Sequence, residues 1–367
     1  MNTDDPPTDP IDDSPTGDHP RGTGGYAHGR TRTPASEDGV GAGAATSRTG
    51  AADGGRPGDV APQDEDFVVE IDALRHRFGR RVVLDGVDLR VPRGSVTALL
   101  GRNGEGKTTL LRLLTGWLRP RPGHVRVLGM DPARRGPDVR RAVGYVPDRL
   151  ELPRWMRVAD WFRFLEPFHP RWSRDEERAL CTRLDLDPRA KVATLSKGQR
   201  AKHALIAALA HRPELLLLDE PFSGLDPIVR HEVLTAILGH LREEGRTVLV
   251  VTHSIADVER IADRVVLIEH GRVRLDADLE SLQRSAVRIA VTLHDADAIW
   301  SPPGHPATER DGRDAVLTYV DFHPAYEQAL HSDAKVAAVR RLQRDLEHVF
   351  RAAASPHATE ELTCAVS

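Results

Sequence analysis

The chain has only two cysteines in 367 residues, Cys181 and Cys364. Two thiols so far apart in sequence cannot form the disulfide framework of a small secreted domain, and a reducing cytosol is the simplest expected setting. No apolar run approaches the roughly 18 residues that a membrane helix needs, so a role at a membrane is expected to come through a partner. A basic start followed by an apolar core, the mark of a secretory signal peptide, is missing as well. Large apolar residues are almost absent from residues 1–66, which hold 12 Gly, 8 Pro and 13 acidic against 5 basic residues. Such a segment cannot bury enough surface to offset its ordering entropy, and it reads as a disordered acidic tail. The whole chain carries −4, so without that tail the remainder has only a mild positive excess. That is too little to mark a nucleic-acid surface.

What is present is concentrated around Gly101–Thr109, which reads Gly-Arg-Asn-Gly-Glu-Gly-Lys-Thr-Thr. A β-branched and leucine-rich run, Ser95–Leu100, precedes it and a leucine-rich helical run, Leu110–Leu114, follows. Strand, glycine loop and helix in that order form a phosphate-binding loop. The helix N-terminus offers unpaired N–H groups and a partial positive charge to a triphosphate. Gly101, Gly104 and Gly106 let the backbone approach the phosphates. Lys107 is expected to reach the β- and γ-phosphates, and Thr108 to ligate the Mg²⁺ that bridges them.

Before this loop, Phe67–Leu74 and Val82–Val91 read as strands, the second with a turn at Asp85-Gly86. Phe78 stands just upstream of a glycine; it is either a ring on which a purine stacks or an ordinary core residue. After the loop, His124–Leu128 reads as a short strand. Val139–Val146 leads to another, ending at Gly144-Tyr145-Val146-Pro147-Asp148. From Leu150 to His211 the pattern is helical, with Val158, Trp161, Phe162, Leu165 and Phe168 at 3- and 4-residue spacing. Trp155, Trp161, Phe162, Phe164, Phe168 and Trp172 crowd together there, filling a small core or forming an exposed patch for a partner. Ser173 is expected to cap one helix with Glu176 as its box partner, and Ser196 another with Gln199.

Leu215–Leu218 is a buried strand with Asp219 and Glu220 at its C-terminal end, the edge where α/β sheets bind ligands. Asp219 is suited to the Mg²⁺ shell and Glu220 to polarising a water for attack on the γ-phosphate. Ser223-Gly224-Leu225-Asp226-Pro227 turns into a helix through Leu241. Thr247–Thr252 is a second buried strand, and His253 after it shares the sheet edge with Asp219 and Glu220, within reach of the γ-phosphate. Val265–Glu269 and Arg272–Leu275 read as a hairpin. Beyond it, Val287–Leu293, Ala315–Val320 and Val336–Val339 read as strands, and Pro324–Leu330 and Leu342–Ala353 as helices.

In this order the elements of residues 67–275 resemble the nucleotide-binding subunit of an ABC transporter. Gly101–Thr109, with Arg102, Asn103, Glu105 and Thr109 among its ATP-binding residues, matches the Walker A loop. Leu195-Ser196-Lys197-Gly198-Gln199 resembles the signature, with Lys where Gly is more common. Leu215–Glu220 matches Walker B, Ser223–Asp226 the D-loop, His253 the switch histidine and Phe78 the stacking aromatic. Asp148 stands where the family usually has Gln, and is a further possible metal ligand. The resemblance implies a P-loop α/β ATPase core with an antiparallel β subdomain and a helical subdomain at about 149–212. A small α/β extension over 276–354 and a flexible tail over 355–367 are expected to follow.

The resemblance further implies ATP hydrolysis with Mg²⁺ in a dimer, with a second copy or a homologous subunit. Glu220, His253 and Lys107 would be catalytic, and Ser196, Lys197, Gly198 and Gln199 would act in trans on the other subunit's nucleotide. Asp226 belongs to the same interface. The Lys-bearing signature, the acidic loop at Asp148 and the Phe168–Trp172 segment are similar to a bacterial branch that pairs with separate ABC-2-type membrane permeases, often in export. The expected location is cytoplasmic, peripheral on the inner face of the plasma membrane. A soluble ATPase of this type acting on ribosomes or DNA is the alternative. Ribosomal types usually carry two cores and repair types a long coiled coil; this chain shows one core and no sustained heptads.

Overall fold

The computed structural model describes residues 67–149, 151–242, 246–343 and 345–353, so the tails expected at 1–66 and 355–367 lie outside the described residues. Phe67–Phe78 (β1) and Arg81–Pro92 (β2) pair antiparallel, and Val125–Val127 (β4) adds to the other edge of β1. The turn expected at Asp85-Gly86 is not there. Both halves of β2 pair with β1, Arg75 facing Asp85 and Leu74 facing Val87, so Gly86 is the extra residue of a bulge, with φ +81°. An Asp-Gly pair turns a chain only when the segments on its two sides pair with each other. The hairpin turn falls at Gly79-Arg80 instead.

Val96–Leu100 (β3) leads through the glycine loop into Lys107–Leu114 (α1). Pro132–Ala142 (α2), capped by the Asp131 side chain on the Ala133 N–H, occupies part of what the sequence reading assigned to the approach to Val143–Val146 (β5). Glycine and proline inside α2 hid its helical period. The helical region contains Val158–Leu165 (α3), Arg174–Arg183 (α4) and Lys197–Leu209 (α5). Ser173 caps α4, but Glu176 does not complete the box: its carboxylate pairs with Arg212 at 3.2 Å. Ser196 and Gln199 do form a reciprocal box on α5, at 3.1 and 2.9 Å.

Leu215–Asp219 (β6), Pro227–Arg242 (α6), Thr247–Val251 (β7), Ile255–Ile261 (α7), Arg264–Glu269 (β8) and Arg272–Asp278 (β9) complete the core. Its six-stranded sheet runs β5-β6-β7-β3-β8-β9, parallel except for β9. Side chains alternate between its two faces, as strand geometry requires. Leu216, Leu218, Val248 and Val250 join the core shared with the helical region. Leu215, Leu217, Leu249 and Val251 join the core shared with α1 and the antiparallel sheet. Burial on both faces is why these strands read as unbroken apolar runs.

After Leu279–Ser285 (α8), a four-stranded antiparallel sheet forms from Val287–Leu293 (β10), Ala307–Asp311 (β11), Asp314–Tyr319 (β12) and Val336–Arg341 (β13), in the order β11-β12-β10-β13. Pro324–Ser332 (α9) covers a small core of Ile289, Val291, Leu293, Leu317, Tyr319 and Leu330. Strand β11, with its exposed Thr-Glu-Arg-Asp sequence, escaped the sequence reading because it lacks apolar alternation. The last helix begins at Leu346, later than expected, because β13 runs on to Arg341; this Leu346–Ala353 helix (α10) returns Leu346, Val349 and Phe350 to the main core.

Candidate functional site

The glycine loop takes its shape from backbone that only glycine tolerates. A Cβ on Gly101, at φ +158°, would lie 2.5 Å from the Ile268 carbonyl, and one on Gly106, at φ +94°, 2.8 Å from Leu84. The loop therefore packs directly on β8 and β2, and α1 starts with its N-terminus open to a cleft of about 410 Å³. Phe78, Asn103, Gly104, Gly106, Lys107, Thr108, Thr109, Asp148, Asp219 and Glu220 all line that cleft, together with Arg81 and Val83. Arg81 and Val83 were missed by sequence reasoning; they stand on β2, which packs against the loop, and no local pattern around them announces that packing. Phe78 is 51% exposed, which rules out the core reading, and its ring meets His76 edge-on at 4.8 Å.

Lys107 Nζ donates to the carbonyls of Gly101 at 2.6 Å and Arg102 at 3.0 Å. Burial pushes its pKa down, opposed by the carboxylates of Glu220, Asp219 and Glu105. Thr108 Oγ1 donates to Asp219 Oδ1 at 3.2 Å. Burial pushes the Asp219 carboxyl up; the Thr108 bond and Lys107 act the other way, and Asp148 and Glu220 add to the rise. Asp219 Oδ2 and Glu220 Oε1 are buried without a hydrogen-bond partner. Among the described residues no three His, Cys, Asp or Glu side chains form a metal cage. A hydroxyl beside a carboxylate with an unsatisfied oxygen instead fits Mg²⁺ carried in on phosphates, which keeps most of its ligands as water and phosphate oxygens.

Glu220 follows β6 with φ +50°, an uncommon conformation for a non-glycine residue, and its N–H bonds the Val251 carbonyl at 2.9 Å. Its Oε2 lies 2.8 Å from His253 Nδ1. His253 thus meets Glu220, and it does not line the cleft beside the glycine loop. Asp148 borders that cleft and also a second one, of about 320 Å³, lined by Lys197, Arg200, Glu220 and Ser223. Ser196, Lys197, Gly198 and Gln199 sit at the start of α5 and do not line the loop's own cleft. Asp226 caps α6, its Oδ1 accepting from the N–H groups of Ile228 at 3.1 Å and Val229 at 3.0 Å.

A third and larger cleft, about 740 Å³ and mostly apolar, runs between the helical region and the core. Trp117, Trp161, Leu165, Tyr145, Pro147 and Arg149 are among its walls. Of the aromatic cluster, Trp161 lines this cleft, Phe162 is fully buried, and Trp155, Phe164 and Phe168 are exposed.

Residues 84–223 match the family model described as ABC transporter. The chain is 39% identical over 226 residues to an aliphatic sulfonates import ATP-binding protein of Burkholderia ambifaria, over 60% of this chain; it spans 66% of that relative's length. It is 40% identical to one of Nocardia farcinica over 58% of this chain and 82% of the relative. A daunorubicin resistance ATP-binding protein of Streptomyces coeruleorubidus is 36% identical, over 63% of this chain and 75% of the relative. Among solved structures, an ATP-binding subunit of an ABC transporter superposes with a TM-score of 0.55 at 29% identity, covering 59% of this chain and 92% of the other. A cassette solved as a dimer bound to ADP and phosphate shares the fold at 23% identity and TM-score 0.53, over 57% of this chain and 98% of the other.

Proposed function

Because the chain belongs to the family of ABC transporter ATP-binding proteins, whose cassettes are ATPases, we propose that it hydrolyses ATP to drive transport through a separate membrane permease. The observation that carries this reading is the convergence of Lys107, Thr108, Asp219 and Glu220 on one cleft, with one oxygen of each carboxylate unsatisfied. Phe78 would stack on the base. Gly101–Thr109 would wrap the phosphates, with Lys107 released from its loop carbonyls to the β- and γ-oxygens. Thr108 and Asp219, with Asp148 nearby, would hold Mg²⁺, which would supply charge neutralisation for the phosphates. Glu220 takes the proton of the attacking water, and His253 holds the Glu220 carboxylate in place.

The start of α5 does not reach the chain's own glycine loop, and this supports a dimer. Ser196, Lys197, Gly198 and Gln199 of one copy would close on the nucleotide of a second copy or a homologous subunit, with Asp226 at the same interface. No helix among the described residues is long and apolar enough to cross a membrane. The apolar cleft lined by Trp161 and the exposed Trp117 is the docking face we assign to the permease. On this reading the protein is cytoplasmic and peripheral at the inner face of the plasma membrane. Domain limits at 67–275 and 276–354 belong to the same proposal.

For direction, we take export through an ABC-2-type permease as the working reading, supported by the daunorubicin resistance relative and the Lys-bearing α5 start. Import is the second reading, favoured by the names of the sulfonate relatives. Pull-down of the Glu220→Gln protein from membranes of the native cell, with and without ATP, separates them. Recovery of an ABC-2-type permease supports export, and recovery of a sulfonate-type permease supports import. Recovery of ribosomes or DNA-repair factors instead overturns transport.

A further inference from the structure

The turn between β8 and β9 consists of His270 and Gly271, at φ +51° and +72°. Two successive left-handed residues make the tight hairpin turn whose twist suits the strands, and Glu269 and Arg272 pair across it. In such a turn the N–H of the first central residue has no partner in the ladder. Here it has one: the His270 N–H donates to the Glu105 carboxylate, which belongs to the glycine loop. The other side of the turn is fastened to β2. The Asp85 N–H donates to the Gly271 carbonyl at 2.8 Å, and Arg272 donates to Asp85 Oδ2 at 2.6 Å. A Cβ on Gly271 would lie 2.6 Å from the Val83 carbonyl, so the turn sits directly on that strand.

We propose that Glu105 is a positioning residue, whose carboxylate ties the phosphate loop to the β8–β9 turn and so holds the loop in its phosphate-binding shape. Packing fixes the loop's two ends, Gly101 on β8 and Gly106 on β2, and Lys107 ties the Gly101 and Arg102 carbonyls; at the Glu105 step itself the backbone bond, to the Arg102 carbonyl, is long at 3.4 Å. Glu105, expected among the ATP-binding residues, does not line the cleft; its side chain serves the turn, and its contribution to nucleotide binding runs through the loop's shape. The Glu105 charge favours the charged form of Lys107 and opposes incoming phosphates, a cost that the tie offsets. The turn also begins β9, the strand that leads through α8 into the C-terminal sheet, so the tie joins the phosphate loop to the lead-in of that extension.

The inference rests on the ATP-site reading, and the test separates the two. KM and kcat for Mg²⁺-ATP are measured on the full chain for wild type, Glu105→Gln and Glu105→Ala. Glutamine keeps an acceptor for the His270 N–H and removes the charge; alanine removes both. The expected result is a KM raised about tenfold in Glu105→Ala, the scale of a lost charge-assisted hydrogen bond, with kcat within about twofold, as for loss of uniform binding. Glu105→Gln should stay at or below the wild-type KM. A wild-type KM in the alanine variant, or a KM in the glutamine variant that rises with alanine's, overturns the tie while leaving the ATP site intact. Absence of ATP binding by wild type would instead sink the site reading itself.

Discussion

His253 Nδ1 lies 2.8 Å from Glu220 Oε2, so the histidine that follows β7 holds the carboxylate that follows β6. The two strands are neighbours, and the Glu220 N–H is itself bonded to the Val251 carbonyl. Glu220 is thereby fixed by backbone and side chain at once, with its other oxygen left unsatisfied. A general base needs that combination of fixed position and an available lone pair.

Replacing Glu220 by Gln should lower ATP turnover roughly 10²–10⁴-fold, the scale of losing a general base. The same variant should accumulate as an ATP-bound dimer on size-exclusion chromatography. Unimpaired phosphate release by Glu220→Gln would remove the residue from its assigned role.

Lys107→Ala should abolish tight ATP binding in isothermal titration. Lys107 is buried among three carboxylates that its ammonium compensates, and on the proposed reading it compensates the phosphates as well. Unchanged affinity would refute the assignment.

Asp148→Gln tests the acidic residue that borders both clefts. Removing one negative charge beside Asp219 and Glu220 should raise turnover and alter the Mg²⁺ dependence. Identical rates and identical Mg²⁺ titrations in the two proteins would show that Asp148 does not govern the site.

Acid should destabilise the fold through buried imidazoles. Burial holds His203 and His211 down to about 4 and His240 to about 3. Their folded values lie below the ordinary value near 6.5, so the unfolded chain binds the proton first. The stability they contribute is complete above pH ~6.5 and is lost as pH falls from there towards ~4, and for His240 towards ~3. Thermal unfolding midpoints measured across that window should fall. His203 stacks on Phe162 at 4.8 Å, and His203→Leu should flatten the fall. A variant that tracks wild type at every pH would exclude His203 as a contributor.

Much of the site was legible because phosphate chemistry constrains neighbouring residues. Gly101–Thr109 announces itself through glycines that no side chain can replace, and Leu215–Glu220 through a doubly buried strand ending in acids. Ser196 and Gln199 were legible for the same local reason, a capping box. Arg81 and Val83 were not, since nothing in their own neighbourhood says that β2 packs beside the loop. The bulge at Gly86 was misread as a turn because its meaning depends on which strand lies opposite.

The sequence by itself determined the strand–loop–helix, the apolar core strands and the chemical types at the sheet edge. Backbone freedom, burial and helix-end polarity act over a few residues, and a few residues suffice to read them. Only the tertiary structure decided that His253 meets Glu220, that Glu105 serves the His270 turn, and that α10 returns to the main core. Each of these contacts joins segments separated by tens of residues or more, brought together by sheet order and by packing of the whole chain. No local propensity specifies such a pair, because its free energy is gained only after the intervening elements have folded.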